Sequence, residues 1–342
     1  EGKEVIKVDD PTVPVTISKP VDIFASAIEK TYDGTGFDIL NKVAEKANSL
    51  ADGTKNKFVN IEVKVKVDST DYIYTILAGQ TAGTWNQAGT PKTSPNVKAT
   101  TLGTAENYEY PVTITFKDAA QGSNASNSTN TNAKFKINYA EVTVKANDET
   151  KKTTEPDPTF DATVTGMVNG EKAEDKLNYT ISRTDATDNT VDDHNTITPA
   201  GDTYQNNYKV TYETGTLTIT KDDTTAITVT ITGKQETKEY NGQTQTVTGF
   251  DYTVTGAEKN DVTVTLNQSG KDSASGKDVT TANEGKYMMG LTASNFNVSS
   301  TKYSNVTITT VNDGWLKITP IAITLKSGNA SKTYDGAALT KN

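Results

Sequence analysis

Cysteine is absent from the 342 residues, which excludes disulfides, thiolate metal sites and thiol catalysis. Histidine occurs once, as His194, and arginine once, as Arg183. A single imidazole in a polar stretch leaves His-based nucleophilic or general-base catalysis with one possible member and no Cys partner. With so little arginine and a formal charge of -9, the clustered basic groups that hold phosphates are missing, so nucleic acid is not an expected partner. No apolar run approaches the roughly 20 residues that cross a bilayer, and no basic leader precedes an apolar segment. The chain opens at Glu1-Gly2-Lys3 and stops at Lys341-Asn342, just after a motif begins. A piece of a longer exported protein is therefore expected, with its membrane or cell-wall anchor outside it. Apolar residues make up only 33% of the total, which suits slim domains with a high surface-to-volume ratio better than one thick globule.

What is present is Thr, Asn, Asp, Lys and Gly, with fifteen Tyr, a mixture that favours half-exposed pleated strands. A five-residue corner recurs as Lys30-Thr31-Tyr32-Asp33-Gly34, Lys238-Glu239-Tyr240-Asn241-Gly242 and Lys332-Thr333-Tyr334-Asp335-Gly336. Asp-Gly and Asn-Gly supply the left-handed backbone of a tight turn, and the preceding Tyr is expected to lay its ring on a sheet with its hydroxyl in water. Strand-like alternation precedes the later copies, at Ile227–Ile231 and at Ile321–Leu325. A second element, Gly215–Thr220 and again Gly314–Thr319, closes one stretch and hands over at once to the next; Val15–Ile17 and Phe135–Ile137 fit the same slot. Such short joints restrict bending. The landmarks divide the chain into an end piece 1–19, modules at 20–138, 139–220 and 221–318, and a truncated start at 319–342. Each full module is expected to have its own core.

Within 20–138, Asp38 is placed to cap a helix running through Leu50, with Ile39, Leu40, Val43, Ala44, Ala47 and Leu50 on one side and Asp52-Gly53 ending it. Val59, Ile61, Val63, Val65 and Val67 alternate with polar residues, as do Tyr108, Tyr110, Val112, Ile114 and Phe116, so each is a strand with one buried face. Long polar stretches follow, 78–107 and 117–133, and the Ser/Asn-rich run 122–128 predicts a flexible tether. The fold class is mainly β: tandem small β-sandwich or β-grasp-like modules, elongated, with one helix in the first.

Asp157–Phe160, Thr163–Gly170, Ile181–Arg183, then Asn207–Tyr212 before Gly215–Leu217 follow in order the pattern of the MBG-type modules strung together in large bacterial surface proteins, gut-dwelling species among them, and 139–220 resembles that family. Module 221–318 resembles it too. Where the family has a Tyr-Gly pair, the second module has Lys152-Thr153-Thr154-Glu155. The resemblance implies an extracellular location, on the cell surface or secreted, a stalk or adhesin role, and no active site to carry over.

Candidate chemistry is sparse. Asp185, Asp188, Asn189, Asp192, Asp193 and Asn195 crowd together, but lack the spacing, Gly and closing Glu of an EF-hand. No carboxylate pair stands in an apolar setting that would raise one pKa for glycoside hydrolysis. The chain is read as non-enzymatic, without metal or cofactor, and monomeric. Trp85 in the first long loop, with Tyr72 and Tyr74 on one face of a neighbouring strand, is the candidate ligand-binding set, because an exposed indole stacks on sugars or anchors a protein. Candidate partners are a host glycoprotein, an immunoglobulin or a polysaccharide. Trp315 in a closing strand is expected to pack in a core or between modules. Lys–Asn crosslinks need a lysine, an asparagine or aspartate, and a carboxylate meeting in an apolar interior; the residue types abound, and whether they meet is a tertiary question.

Overall fold

The computed structural model describes residues 22–51, 56–119, 126–280 and 285–340. In the first stretch β1 (Ile28–Thr31), α1 (Ile39–Asn48), β2 (Val59–Val67), β3 (Thr70–Ile76), β4 (Thr84–Trp85), β5 (Asn107–Asp118) and β6 (Ser126–Asn138) succeed one another. The strands form one mixed sheet in the order β1-β6-β5-β2-β3-β4. Period-two alternation decides its buried face: Val59, Ile61, Val63, Val65 and Val67 of β2 turn inward together, and Val63 stands opposite Ile114 of β5. Each fully buried aliphatic side chain of this row is worth about 1.5–3 kcal/mol. α1 starts where Asp38 accepts the Asn41 backbone N–H at 3.1 Å, and buries Ile39, Leu40, Val43 and Ala47. The helix stops with Ser49 as its C-cap; Asp52-Gly53, expected to end it, lie outside the described residues, as does Val15–Ile17. Of the two expected architectures, this stretch is a sheet carrying a helix.

The flexible tether expected across 122–128 is not borne out from Ser126 onward. β6 begins there and pairs antiparallel with β5 from Lys117↔Ser126 through Asn107↔Lys136; 120–125 lie outside the described residues. The polar side chains that suggest a tether cover the outer face of a hairpin, where Thr115 bonds Ser128 at 2.9 Å and Thr113 donates to Asn130 at 2.8 Å. Backbone pairing depends on the partner strand, and the side-chain composition of β6 alone is silent about it.

From 139 to 220 the elements are β7 (Ala140–Ala146), β8 (Glu149–Lys152), β9 (Ala162–Thr165), the single-turn α2 (Ala173–Lys176), β10 (Tyr179–Arg183), β11 (Asp192–Gly201), β12 (Tyr204–Gln205), β13 (Tyr208–Glu213) and β14 (Gly215–Thr220). β7 runs parallel to β13 and antiparallel to β9, β10 pairs antiparallel with β11, and β8 runs parallel to β14. Next come β15 (Ile227–Gly233), β16 (Gln235–Glu239), β17 (Gln245–Thr248), β18 (Phe250–Thr255), β19 (Val262–Leu266), β20 (Ser273–Gly276), β21 (Tyr287–Met288), β22 (Phe296–Ser300), β23 (Val306–Asn312) and β24 (Trp315–Thr319). They form two three-stranded sheets, β18-β15-β23 and β16-β24-β21, and two pairs, β17-β20 and β19-β22. Their inward residues, Ile227, Val229, Ile231, Leu316, Ile318 and Phe296 among them, make one core of sandwich type. The strand expected at Ile321–Leu325 is not formed: Ile321, Ile323 and Leu325 are exposed and no described strand pairs with them. Alternation permits a strand, but a strand exists only with a hydrogen-bonding neighbour.

The expectation of one core per module fails at 138. The apolar cluster that begins with Phe24, Tyr32 and Phe37 continues without a break through Ala140, Val142, Val144, Leu177, Tyr208 and Val210. Only one residue separates β6 from β7, and strands this slim bury more apolar surface together than apart. The described residues of Glu1–Asp148, with Thr159–Thr184 and Thr196–Thr216, are one compact unit; Glu149–Pro158, Asp185–Asn195 and those of Leu217–Asn342 are another.

Candidate ligand-binding surfaces

β3 and β4 place the expected aromatic set. Tyr74 and Trp85 are register partners, with ring centroids 5.0 Å apart and planes tilted by 50°. Tyr74 is buried; its hydroxyl donates to Asn48 at 2.9 Å and accepts the Gly83 backbone N–H at 2.8 Å, stitching the loop to the end of α1. Trp85 and Tyr72 are half-buried against the same core, and Tyr72 lies so close to Gly89 that a Cβ there would come within 2.9 Å of its ring. The three residues thus share one neighbourhood: Tyr74 is spent on packing, while Trp85 and Tyr72 keep part of their surface in solvent.

A second surface in the same unit carries no sequence motif. Tyr139 and Tyr204 stack at 4.9 Å with a 59° tilt. With Gly103, Asn138, Lys136 and Lys209 they line an open cleft of about 300 Å³. Gly103 adopts φ +87°, and a Cβ on it would meet the Tyr204 ring at 2.8 Å, so glycine lets the loop lie on the tyrosine. Residues 139 and 204 come together because β13, which follows β12, pairs beside β7. Only that distant pairing reveals the cleft.

The repeated corners behave as tight turns. Gly34, Gly242 and Gly336 all have φ between +76° and +79°. In each copy the preceding Asp or Asn accepts a backbone N–H two residues on, from Thr35, Gln243 and Ala337. The Tyr does not keep one role. Tyr334 is exposed, Tyr240 packs half-buried, and Tyr32, expected to have a wet hydroxyl, is only 4% exposed. Its hydroxyl donates to Glu171 Oε1 at 2.9 Å, Tyr208 donates to Oε2 at 2.5 Å, and the two rings meet edge to face. Burial, then the Glu171 bond, pushes the Tyr208 hydroxyl up to about 12. At Glu171 burial raises the pKa, but the bonds from Tyr208, Lys176 and Tyr32 together outweigh it and hold the carboxyl below its ordinary range.

In the acidic loop, Asp185 and Asp188 accept the backbone N–H and hydroxyl of Thr187 and Thr190, turning the chain locally. The side chains of Asp193 and His194 lie outside the description. In the second unit buried Asp222 accepts hydrogen bonds from Thr224, Thr225 and Thr154, which hold its carboxyl far below its usual range. Of the two placements expected for Trp315, in a core or between modules, the first does not hold: Leu316 and Ile318 point inward, and the indole lies half-buried beneath the Lys286 ammonium, 3.9 Å from the ring centre.

The described residues thus define a mainly β protein whose one long helix, α1, lies in the first stretch; among them no helix is long and apolar enough to cross a membrane. Residues 142–218 match the model of the MBG domain (YGX type), in accord with an MBG-type module there. No curated protein matches the chain. Among solved structures it is similar to the N-terminal four Ig domains of Dscam1 isoform 9.44, at 11% identity and TM-score 0.20, over 76% of this chain and 65% of that one. It is also similar to Drosophila N-cadherin EC1-4, at 10% identity and TM-score 0.20, over 61% of this chain and 54% of that one. The chain therefore spans less than two thirds of either, and TM-scores this low carry no argument.

Proposed function

We propose that the chain is an extracellular, adhesion-type segment of a bacterial surface protein and serves as a load-bearing stalk for a binding region. The match of 142–218 to the MBG family carries this reading, in a chain that repeats its Lys-x-Tyr-(Asp/Asn)-Gly corner three times. Strand topology supports it. In each stretch the first strands run parallel to the last: β1 with β6, β7 with β13, β8 with β14, β15 with β23 and β16 with β24. Tension applied along parallel neighbours pulled from opposite ends loads their rungs in shear, all together, rather than unzipping them singly. Such a part needs clamps and no active site. Single-molecule pulling from the chain ends should give discrete, high-force unfolding events; smooth extension at low force would reject the stalk role.

A second reading, recognition of a polysaccharide, host glycoprotein or immunoglobulin through the first unit, draws on the open Tyr139–Tyr204 cleft and the solvent-facing part of Trp85. Glycan and host-protein arrays probed with the whole chain distinguish the two. Binding that falls at least tenfold in Tyr204→Ala or Trp85→Ala favours recognition; an array without signal leaves the stalk alone.

A further inference from the structure

We propose that Lys151 and Asn189 join in an intramolecular isopeptide bond, with the Asp157 carboxylate as proton carrier. Lys151 occupies the inward position of β8, in register with buried Ile219 of β14, where alternation calls for an apolar residue. Its side chain is only 3% exposed. A buried ammonium is costly unless paired, and the side chains that meet it are those the condensation needs. Lys151 Nζ is 2.9 Å from Asp157 Oδ1 and 2.5 Å from Asn189 Oδ1. All three residues lie in the second compact unit.

The step balances without an oxidant, metal or co-reactant. Asp157 takes a proton from the Lys151 ammonium, and the freed amine attacks Asn189 Cγ. As the tetrahedral adduct collapses, the Nζ–Cγ bond is kept and Cγ–Nδ2 breaks. Asp157 passes its proton to the departing nitrogen, which leaves as ammonia, and takes the second proton from Nζ as the amide forms, releasing it to solvent to regain its carboxylate. Proximity supplies the main advantage, since the Lys151 amine on β8 is held against groups brought to it by the segments that follow β8 and β10. Asn189 itself is exposed and lines an open cleft of about 290 Å³ with Asp188, Thr301 and Lys302, through which ammonia can leave. The inference rests on this geometry and is independent of the stalk reading.

Intact mass spectrometry of the purified full chain tests it. The mass is expected one ammonia below that of the sequence, and a protease digest should contain a branched peptide joining Lys151 to Asn189. Lys151→Arg keeps a cation in the interior and should restore the full mass, and Asp157→Ala should slow or abolish the loss. Should either variant fail to fold, the digest of the unaltered chain decides alone. An unaltered chain that stays at full mass after prolonged incubation overturns the proposal, as does an ammonia deficit without the branched peptide. Either result would leave Lys151 as a buried ion pair only.

Discussion

At the scale of single residues, the Tyr32–Glu171–Tyr208 cluster ties a turn near the start of the first unit to a strand near its end. Its protonation states are linked to folding. A tyrosine whose folded pKa is raised contributes stability that is complete below the unfolded value of 10.0 and is lost as pH climbs toward about 12. Tyr32, Tyr110 and Tyr212 are raised as well, so alkaline difference spectra should show several late-ionising tyrosines, with one fewer in Tyr208→Phe. Glu171 has the opposite sign. Its folded pKa is depressed, so its contribution is present above the unfolded value of 4.5 and is lost as pH falls below it. Acid titration followed by circular dichroism should find Glu171→Gln less stable than the unaltered chain at pH 7, and the gap should narrow on acidification. Tyr208→Phe should cost about 1.5–3 kcal/mol, the usual worth of a hydrogen bond to a charged group.

At the scale of elements, alternation and capping served well wherever one face of a segment is buried. α1 begins at its Asp38 cap, β2 buries the row its period of two assigns to it, and β5 buries Val112, Ile114 and Phe116 and half-buries Tyr108 and Tyr110. They misled where pairing is decided elsewhere: polar β6 is a strand because β5 lies beside it, and apolar Ile321–Leu325 is not one. Gly166, just past β9, shows how tightly neighbouring strands constrain one another. It has φ +95°, and a Cβ there would come within 2.4 Å of the Glu141 carbonyl of β7. Gly166→Ala should lower stability by about 1–3 kcal/mol in denaturant unfolding, the usual cost of a residue held in a disfavoured backbone region.

At the scale of the molecule, the first apolar interior runs across residue 138, so a fragment ending there forfeits Val142, Val144, Tyr208 and Val210 from its core. Such a fragment should bind a hydrophobic dye and melt with little cooperativity, whereas the full chain should unfold in cooperative steps; a well-folded 20–138 fragment would contradict the shared interior. An isopeptide bond would add to stability here. Lys151 and Asn189 are 38 positions apart, and a crosslink closing roughly that length of chain is worth about 3–4 kcal/mol by loop entropy.

The chain's β class, the helix α1, the corners with left-handed glycines and the MBG-like stretch were legible from residues alone, because periodicity, caps and turn chemistry are local. Which strands pair, where one interior ends, that Tyr139 meets Tyr204, and that Lys151 meets both Asp157 and Asn189 were decided by tertiary structure. Those contacts join positions far apart along the chain, and nothing in a polar residue's neighbours in sequence records which distant strand it will lie against.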